Sequence, residues 1–187
     1  MTGVGNRDDL VIDTRSLGRR PGSMLPYRAT VSAPSRIGLE MIAIEPGTPI
    51  DLDLRLEAVS EGVLVSGTVR STVTGECIRC LDTFTDELVI EPQELFAYPD
   101  SLTVETSEED EVRRVERDRI DLEPMLIDAA AAVLPFQPVC SPDCLGLCSV
   151  CGIRLAIAEP GHSHETIDPR WAALAEKATS EGTDSER

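Results

Sequence analysis

The spacing of the cysteines constrains this chain more than any other feature. Six are present, and they come in pairs: Cys77-x-x-Cys80 in GECIRC, Cys140-x-x-x-Cys144, and Cys148-x-x-Cys151 within CSPDCLGLCSVCG. Two cysteines so spaced can turn both sulfurs onto one ion, and thiolates are the usual ligands of structural zinc, which takes four in a tetrahedron. Six thiols exceed one such site and fall short of two. The chain's two histidines, His162 and His164 in GHSHE, follow closely and raise the number of candidate ligands to eight. Two zinc ions are therefore expected. Grouped in sequence order, Cys77, Cys80, Cys140 and Cys144 form a first site that ties two distant segments together. Cys148, Cys151, His162 and His164 form a second, local one. Another grouping respects the same spacings: Cys148 and Cys151 with Cys77 and Cys80, a ribbon-like site that leaves Cys140 and Cys144 outside.

Compartment decides between metal and disulfide. The opening MTGVGNRDDLVIDTR lacks the apolar run of about 7–15 residues that a secretion signal needs. No stretch approaches the roughly 18 apolar residues of a membrane span. A cytoplasmic protein is expected, and reduced cysteines there hold metal or do chemistry. A thiol oxidoreductase is the less favoured alternative. Its CxxC would sit at a helix N-terminus, which lowers a thiol pKa, whereas Cys77 and Cys80 fall between two strand-like segments. The chain has no HExxH, no recognisable Ser-His-Asp set and no phosphate-binding glycine loop, so a non-enzymatic protein is expected.

Apolar residues make up 41% of the 187 and aromatics only 3%, so a core of Val, Leu, Ile and Ala is expected. IDLDLRLEAV alternates, with Ile50, Leu52, Leu54 and Leu56 on one face. VLVSGTVRSTV alternates again through Val63, Val65, Val69 and Val73. Period two marks half-buried strands, and the pair reads as an antiparallel hairpin around SEG. TFTDELVIEPQELFAY reads as a third strand. IDLEPMLIDAAAAVLP predicts a helix capped by Asp121, with Leu122, Met125, Leu126, Ala129, Ala130 and Val133 on its apolar face. DPRWAALAEKA predicts a second, short helix carrying Trp171, the only tryptophan. The expected fold class is α+β: an antiparallel sheet, one main packed helix and a zinc-pinned C-terminal segment. Residues 1–35 are expected as a loosely held arm and 36–177 as a single domain with an acidic loop at 99–119. Residues 178–187 are expected as a disordered tail.

The net charge is −17. Residues 1–40 carry six arginines and four acids, while residues 85–123 carry fourteen acids and four arginines. Such a surface repels phosphate and attracts basic protein.

Three segments taken together resemble the YceD family of bacterial and chloroplast proteins, named for large-subunit ribosomal RNA accumulation. They are VTGECIRCLDTFTDELV, IDLEPMLIDAAAAVLPFQPVCSPDCLGLCSVCG and IDPRWAAL, spread over roughly residues 50–176. In that family the later CxxC is often followed by CxC; here HSH stands at the matching place. The resemblance implies a part in 23S rRNA accumulation or processing and in large-subunit assembly. The family's gene commonly neighbours that of a small, basic, zinc-binding large-subunit ribosomal protein, which makes a basic ribosomal protein the expected partner. Direct rRNA contact through the arginine-bearing N-terminal arm is the alternative.

Overall fold

The structure is a computed structural model that describes residues 7–106 and 112–164. In chain order, a 3₁₀ turn (Arg7–Leu10) leads into strands β1 (Val11–Asp13), β2 (Met24–Ser32), β3 (Ile37–Gly38), β4 (Ile42–Ile44), β5 (Pro49–Ala58), β6 (Gly62–Glu76), β7 (Thr83–Ile90) and β8 (Gln93–Ala97). A short helix α1 (Leu102–Thr106), strand β9 (Arg119–Asp121) and helix α2 (Glu123–Val133) complete the elements. The fold is mainly antiparallel sheet with two helices among the described residues, as the alternating sequence implies.

The hairpin of β5 and β6 is the centre of the sheet. Ile50, Leu52, Leu54 and Leu56 are all at most 3% exposed, as are Val63, Val65, Val69 and Val73. Each such side chain contributes roughly 1.5–3 kcal/mol by leaving water. Strand β6 has partners along both edges. One edge takes β5 and then β4; the other takes β8 at its start and β7 towards its end. Strands β7 and β8 keep one register on β6, with Ser66 opposite Gln93 and Val69 opposite Ile90. The third strand read in the sequence is thus a single run, interrupted at Glu91 and Pro92. Proline has no N–H to give the ladder. Opposite this gap sits Gly67, with φ 151°. A Cβ there would stand 2.2 Å from the Asp53 carbonyl oxygen, so glycine lets the neighbouring strand close in.

Helix α2 packs against β3 and β7. Met125, Leu126 and Ala130 are buried and Ala129 is partly so, while Val133 is 59% exposed and the next residue, Leu134, takes the inward place. The helix ends at Val133 and Leu134 is extended, which moves the inward direction by one residue. Asp121 does not cap in the expected way. The N-cap is Leu122, and the Asp121 carboxylate, on the end of β9, accepts the Glu123 N–H at 2.9 Å.

The N-terminal segment is not a loose arm. Leu10, Ile12 and Leu17 are buried, β1 pairs with β9, and β2 pairs with β5 over nine residues from Met24 to Ser32. The apolar residues there are few, but their side chains enter the core. The acidic loop expected at 99–119 is also partly structured. Residues 102–106 are helical, Val115 is 3% exposed, and Ala97 and Val115 N–H groups donate to the Arg113 and Ala97 carbonyls.

By internal contacts the chain forms two compact units, Met1–Cys144 and Leu145–Arg187. The division falls inside the expected 36–177 domain, because the second cysteine–histidine loop closes on itself. The expected helix with Trp171 and the 178–187 tail lie outside the described residues.

Two candidate metal centres

The two CxxC segments fold alike. In the first, between β6 and β7, the Leu81 N–H donates to the Cys77 carbonyl and the Cys77 N–H to the Asp82 carbonyl, both at 2.8 Å. In the second, the Gly152 N–H donates to the Cys148 carbonyl at 2.9 Å and the Cys148 N–H to the Ile153 carbonyl at 2.8 Å. Each loop turns through a left-handed residue just after its second cysteine, Leu81 (φ 62°) and Gly152 (φ 72°). This double closure leaves both sulfurs of a pair pointing to one side.

The first unit brings Cys77, Cys80, Cys140 and Cys144 together, with all four sulfurs within 4.8 Å of one another. The Cys77–Cys144 sulfurs are 3.8 Å apart and the Cys80–Cys140 sulfurs 3.7 Å. Four thiolates at about 2.3 Å from a tetrahedral ion stand roughly 3.8 Å from each other, so these separations fit a zinc-sized ion. They are far beyond the S–S bond of about 2.05 Å, and all six cysteines are free. Cys77 and Cys80 are buried, Cys144 half-buried and Cys140 exposed.

Two contacts missed by sequence reasoning hold the distant halves of this site. The Ile78 N–H donates to the Pro138 carbonyl at 3.0 Å. Arg79 Nη1 donates to the Pro142 and Cys144 carbonyls, 3.1 Å each. Arg79 lies between the two cysteines of the first pair, but nothing in its surroundings in sequence marks it as a clamp on a loop more than sixty residues away.

The second unit brings Cys148, Cys151, His162 and His164 within the same 4.8 Å. Cys151 Sγ is 3.4 Å from His162 Nε2 and 3.2 Å from His164 Nε2, and the two Nε2 atoms are 3.1 Å apart. Nitrogens at about 2.0–2.1 Å from a tetrahedral ion would be roughly 3.3 Å apart. The histidine rings meet edge to face, 4.7 Å between centroids, which lets both Nε2 atoms converge. The eight residues therefore group in sequence order, and the ribbon-like alternative, with Cys148 and Cys151 beside Cys77 and Cys80, is not what the structure forms.

The thiols also show why a cation suits these sites. Burial acts to push the Cys77 thiol up, yet the N–H groups of Cys140, Cys80 and Arg79 outweigh it and bring its pKa down to about 6. Burial, together with the neighbouring Cys77, Cys140 and Cys144 thiols, pushes Cys80 up to about 12. Hydrogen bonding with Cys144 raises Cys140 as well. Four sulfurs this close cannot all ionise by themselves, because like charges disfavour one another. A divalent ion would remove that conflict, since coordination deprotonates thiols outright. In the second site the N–H groups of Cys151 and Val150, with His162, bring Cys148 down to about 6. Each cluster could hold a metal ion.

The fold and these clusters define a class: an antiparallel sheet protein carrying two four-residue clusters that could each hold a metal ion. Residues 65–176 match the family described as large ribosomal RNA subunit accumulation protein YceD, and the chain belongs to that family. Uncharacterised proteins of Mycobacterium bovis and Mycobacterium tuberculosis are 58% identical to it over 167 residues, covering 89% of this chain and 80% of theirs. An uncharacterised protein of Mycobacterium leprae is 50% identical over 167 residues, covering 89% of this chain and 76% of its own. No solved structure matches the chain. No described helix is long and apolar enough to cross a membrane.

Proposed function

We propose that this protein is a non-enzymatic cytoplasmic factor that supports 23S rRNA accumulation and large-subunit assembly by holding a basic large-subunit ribosomal protein. Two zinc ions, one in each cluster, would serve its structure. Membership of a family described by large ribosomal RNA subunit accumulation carries the reading. The charge of −17 supports the kind of partner. Asp86, Glu87, Glu91, Asp100 and Glu105 are exposed, and opposite charges at long range speed encounter. Glu123, inside the same acidic stretch, is no part of such a face: it is 6% exposed and accepts the Ser35 hydroxyl.

The alternative of an arginine-bearing arm on rRNA has less support. Arg15, Arg19, Arg28 and Arg36 are engaged with Asp13, Asp100, Asp53 and Glu45. A thiol oxidoreductase also has less, since Cys77 and Cys80 lie between two strands. The test has two arms. Deleting the gene should lower mature 23S rRNA relative to 16S; unchanged ratios would remove the rRNA role. Purified large-subunit proteins titrated at low salt should bind, more slowly once Asp86, Glu87 and Glu91 are neutralised together. An association rate indifferent to those charges would remove the electrostatic partner reading.

A further inference from the structure

In a chain this acidic, one pocket is built from arginines. Arg15, Arg113, Arg114, Arg117 and Arg119 line an open pocket of about 730 Å³, with Glu116 and Asp121 as its acidic residues. Val11 and Pro124, both half-buried, are its accessible apolar residues, and the core side chains Phe96 and Ile120, each 1% exposed, lie behind it. The size falls within the roughly 300–1,000 Å³ of small-ligand sites, which typically combine apolar walls with a few placed polar groups.

Backbone bonding fixes each wall. The segment carrying Arg113 and Arg114 is held to β8 through Ala97. Strand β9, carrying Arg119, pairs with β1, and the Thr14 N–H and hydroxyl both donate to the Asp118 carbonyl, at 2.8 and 3.0 Å. Between these segments Glu116 and Arg119 close a tight turn, each N–H on the other's carbonyl at 2.9 Å. Its two central residues, Arg117 and Asp118, have φ 51° and 60°. Left-handed backbone is unfavourable for residues with a Cβ, and such strain gathers at functional sites. Here it places a guanidinium at the turn's tip.

The arginines differ in how far they are committed. Arg15 is bidentate to Asp13. Arg113 pairs with Asp128, and its buried Nε has Glu94 only at 3.9 Å, beyond hydrogen-bond reach. Arg117 and Arg119 are exposed and have no ion pair among the described residues. Guanidinium forks match phosphate oxygens.

We propose that this pocket binds a nucleotide-sized ligand through its phosphate, with Arg117 and Arg119 as the principal phosphate ligands and Val11 and Pro124 against the sugar and base. A free nucleotide and the 5′-phosphorylated end of an RNA strand share this chemistry. The site shares no residue with either cysteine cluster or with Asp86, Glu87 and Glu91, so its test is separate from that of the basic-protein reading.

The test is titration of the full-length, metal-replete protein at low salt with four probes. These are AMP, inorganic phosphate, and a short single-stranded RNA with either a 5′-phosphate or a 5′-hydroxyl. The 5′-phosphorylated RNA, AMP or both should bind, and the 5′-hydroxyl RNA at least tenfold more weakly. The double variant Arg117→Ala/Arg119→Ala should weaken that binding by tenfold or more, while Arg70→Ala, on exposed β6 surface, leaves it unchanged. Arg117→Lys/Arg119→Lys, which keeps the charge, should recover part of it and controls for folding, as do matched melting curves. AMP binding as tightly as the RNA assigns a free nucleotide; preference for the RNA assigns a strand end. The proposal is overturned if neither AMP nor the 5′-phosphorylated RNA binds, even where inorganic phosphate does, if both RNAs bind and do so equally, or if the alanine pair leaves affinity intact.

Discussion

Leu81 and Gly152 perform the same task with different residues. Both follow the second cysteine of a pair and both are left-handed, but only Leu81 has a Cβ to strain. At 58% exposure its side chain contributes little packing in return. Leu81→Gly should therefore raise stability, or leave it level after the entropy glycine adds to the unfolded chain, with a net gain of no more than about 1 kcal/mol. A denaturant titration showing a clear loss would mean that Leu81 packs on something important. Arg79 acts differently, through the carbonyls it clamps beside Cys144. Residues that orient ligands commonly matter about 10–100-fold in metal affinity. Arg79→Ala should weaken metal binding at the four-cysteine site by about tenfold at least, read by competition with a chromophoric chelator, and leave the histidine-containing site unchanged.

Among the elements, β6 bears the most, since it joins four other strands and leads directly into the first cysteine pair. Its close approach to β5 depends on Gly67. Gly67→Ala sets a methyl against the Asp53 carbonyl, a backbone atom that cannot step aside, and should cost about 2–3 kcal/mol, in the upper range of single substitutions. A thermal melt within a degree or two of wild type would show that β5 gives way. The four-cysteine site joins the connection between β6 and β7 to the segment leaving α2, across a sequence separation of 60 residues between Cys80 and Cys140. The other site closes a loop within residues 145–187 alone. Metal binding is folding free energy where the unfolded chain lacks the site. Cys77→Ser should thus lower the main melting transition by roughly 10 °C, a loss of about 3 kcal/mol for a chain of this size, and Cys151→Ser by much less. Equal losses would mean that the second unit supports the first.

For the whole molecule, the geometry of both clusters predicts two zinc ions per chain after purification without chelator. Elemental analysis giving one, unchanged by His162→Ala with His164→Ala, would remove the second. Acid should release both ions, because metal-bound ligands are deprotonated and protons compete for them. The release runs in that direction only: raising the pH within the stable range should retain metal. A chelator-sensitive melting temperature at pH 7, restored by added zinc, is the accompanying expectation.

What the sequence determined by itself is what repeats locally. Period two in IDLDLRLEAV and VLVSGTVRSTV specified the buried faces of β5 and β6, since alternate strand side chains point to opposite faces. Ligand type and spacing specified the eight residues that cluster in two groups able to hold a metal ion, because CxxC geometry is set within a few bonds. Tertiary structure decided the rest. Only three-dimensional proximity could choose between the two groupings of cysteines, as both satisfied the same spacings. Only burial could turn the sparse apolar residues of 1–35 into core, through Leu10, Ile12 and Leu17. And the arginines of one pocket come from just after β1, from the segment after α1 and from β9. Four of them stand close together in RRVERDR, inside a stretch whose overall charge points the other way, and the pairing of β1 with β9 brings Arg15 beside them.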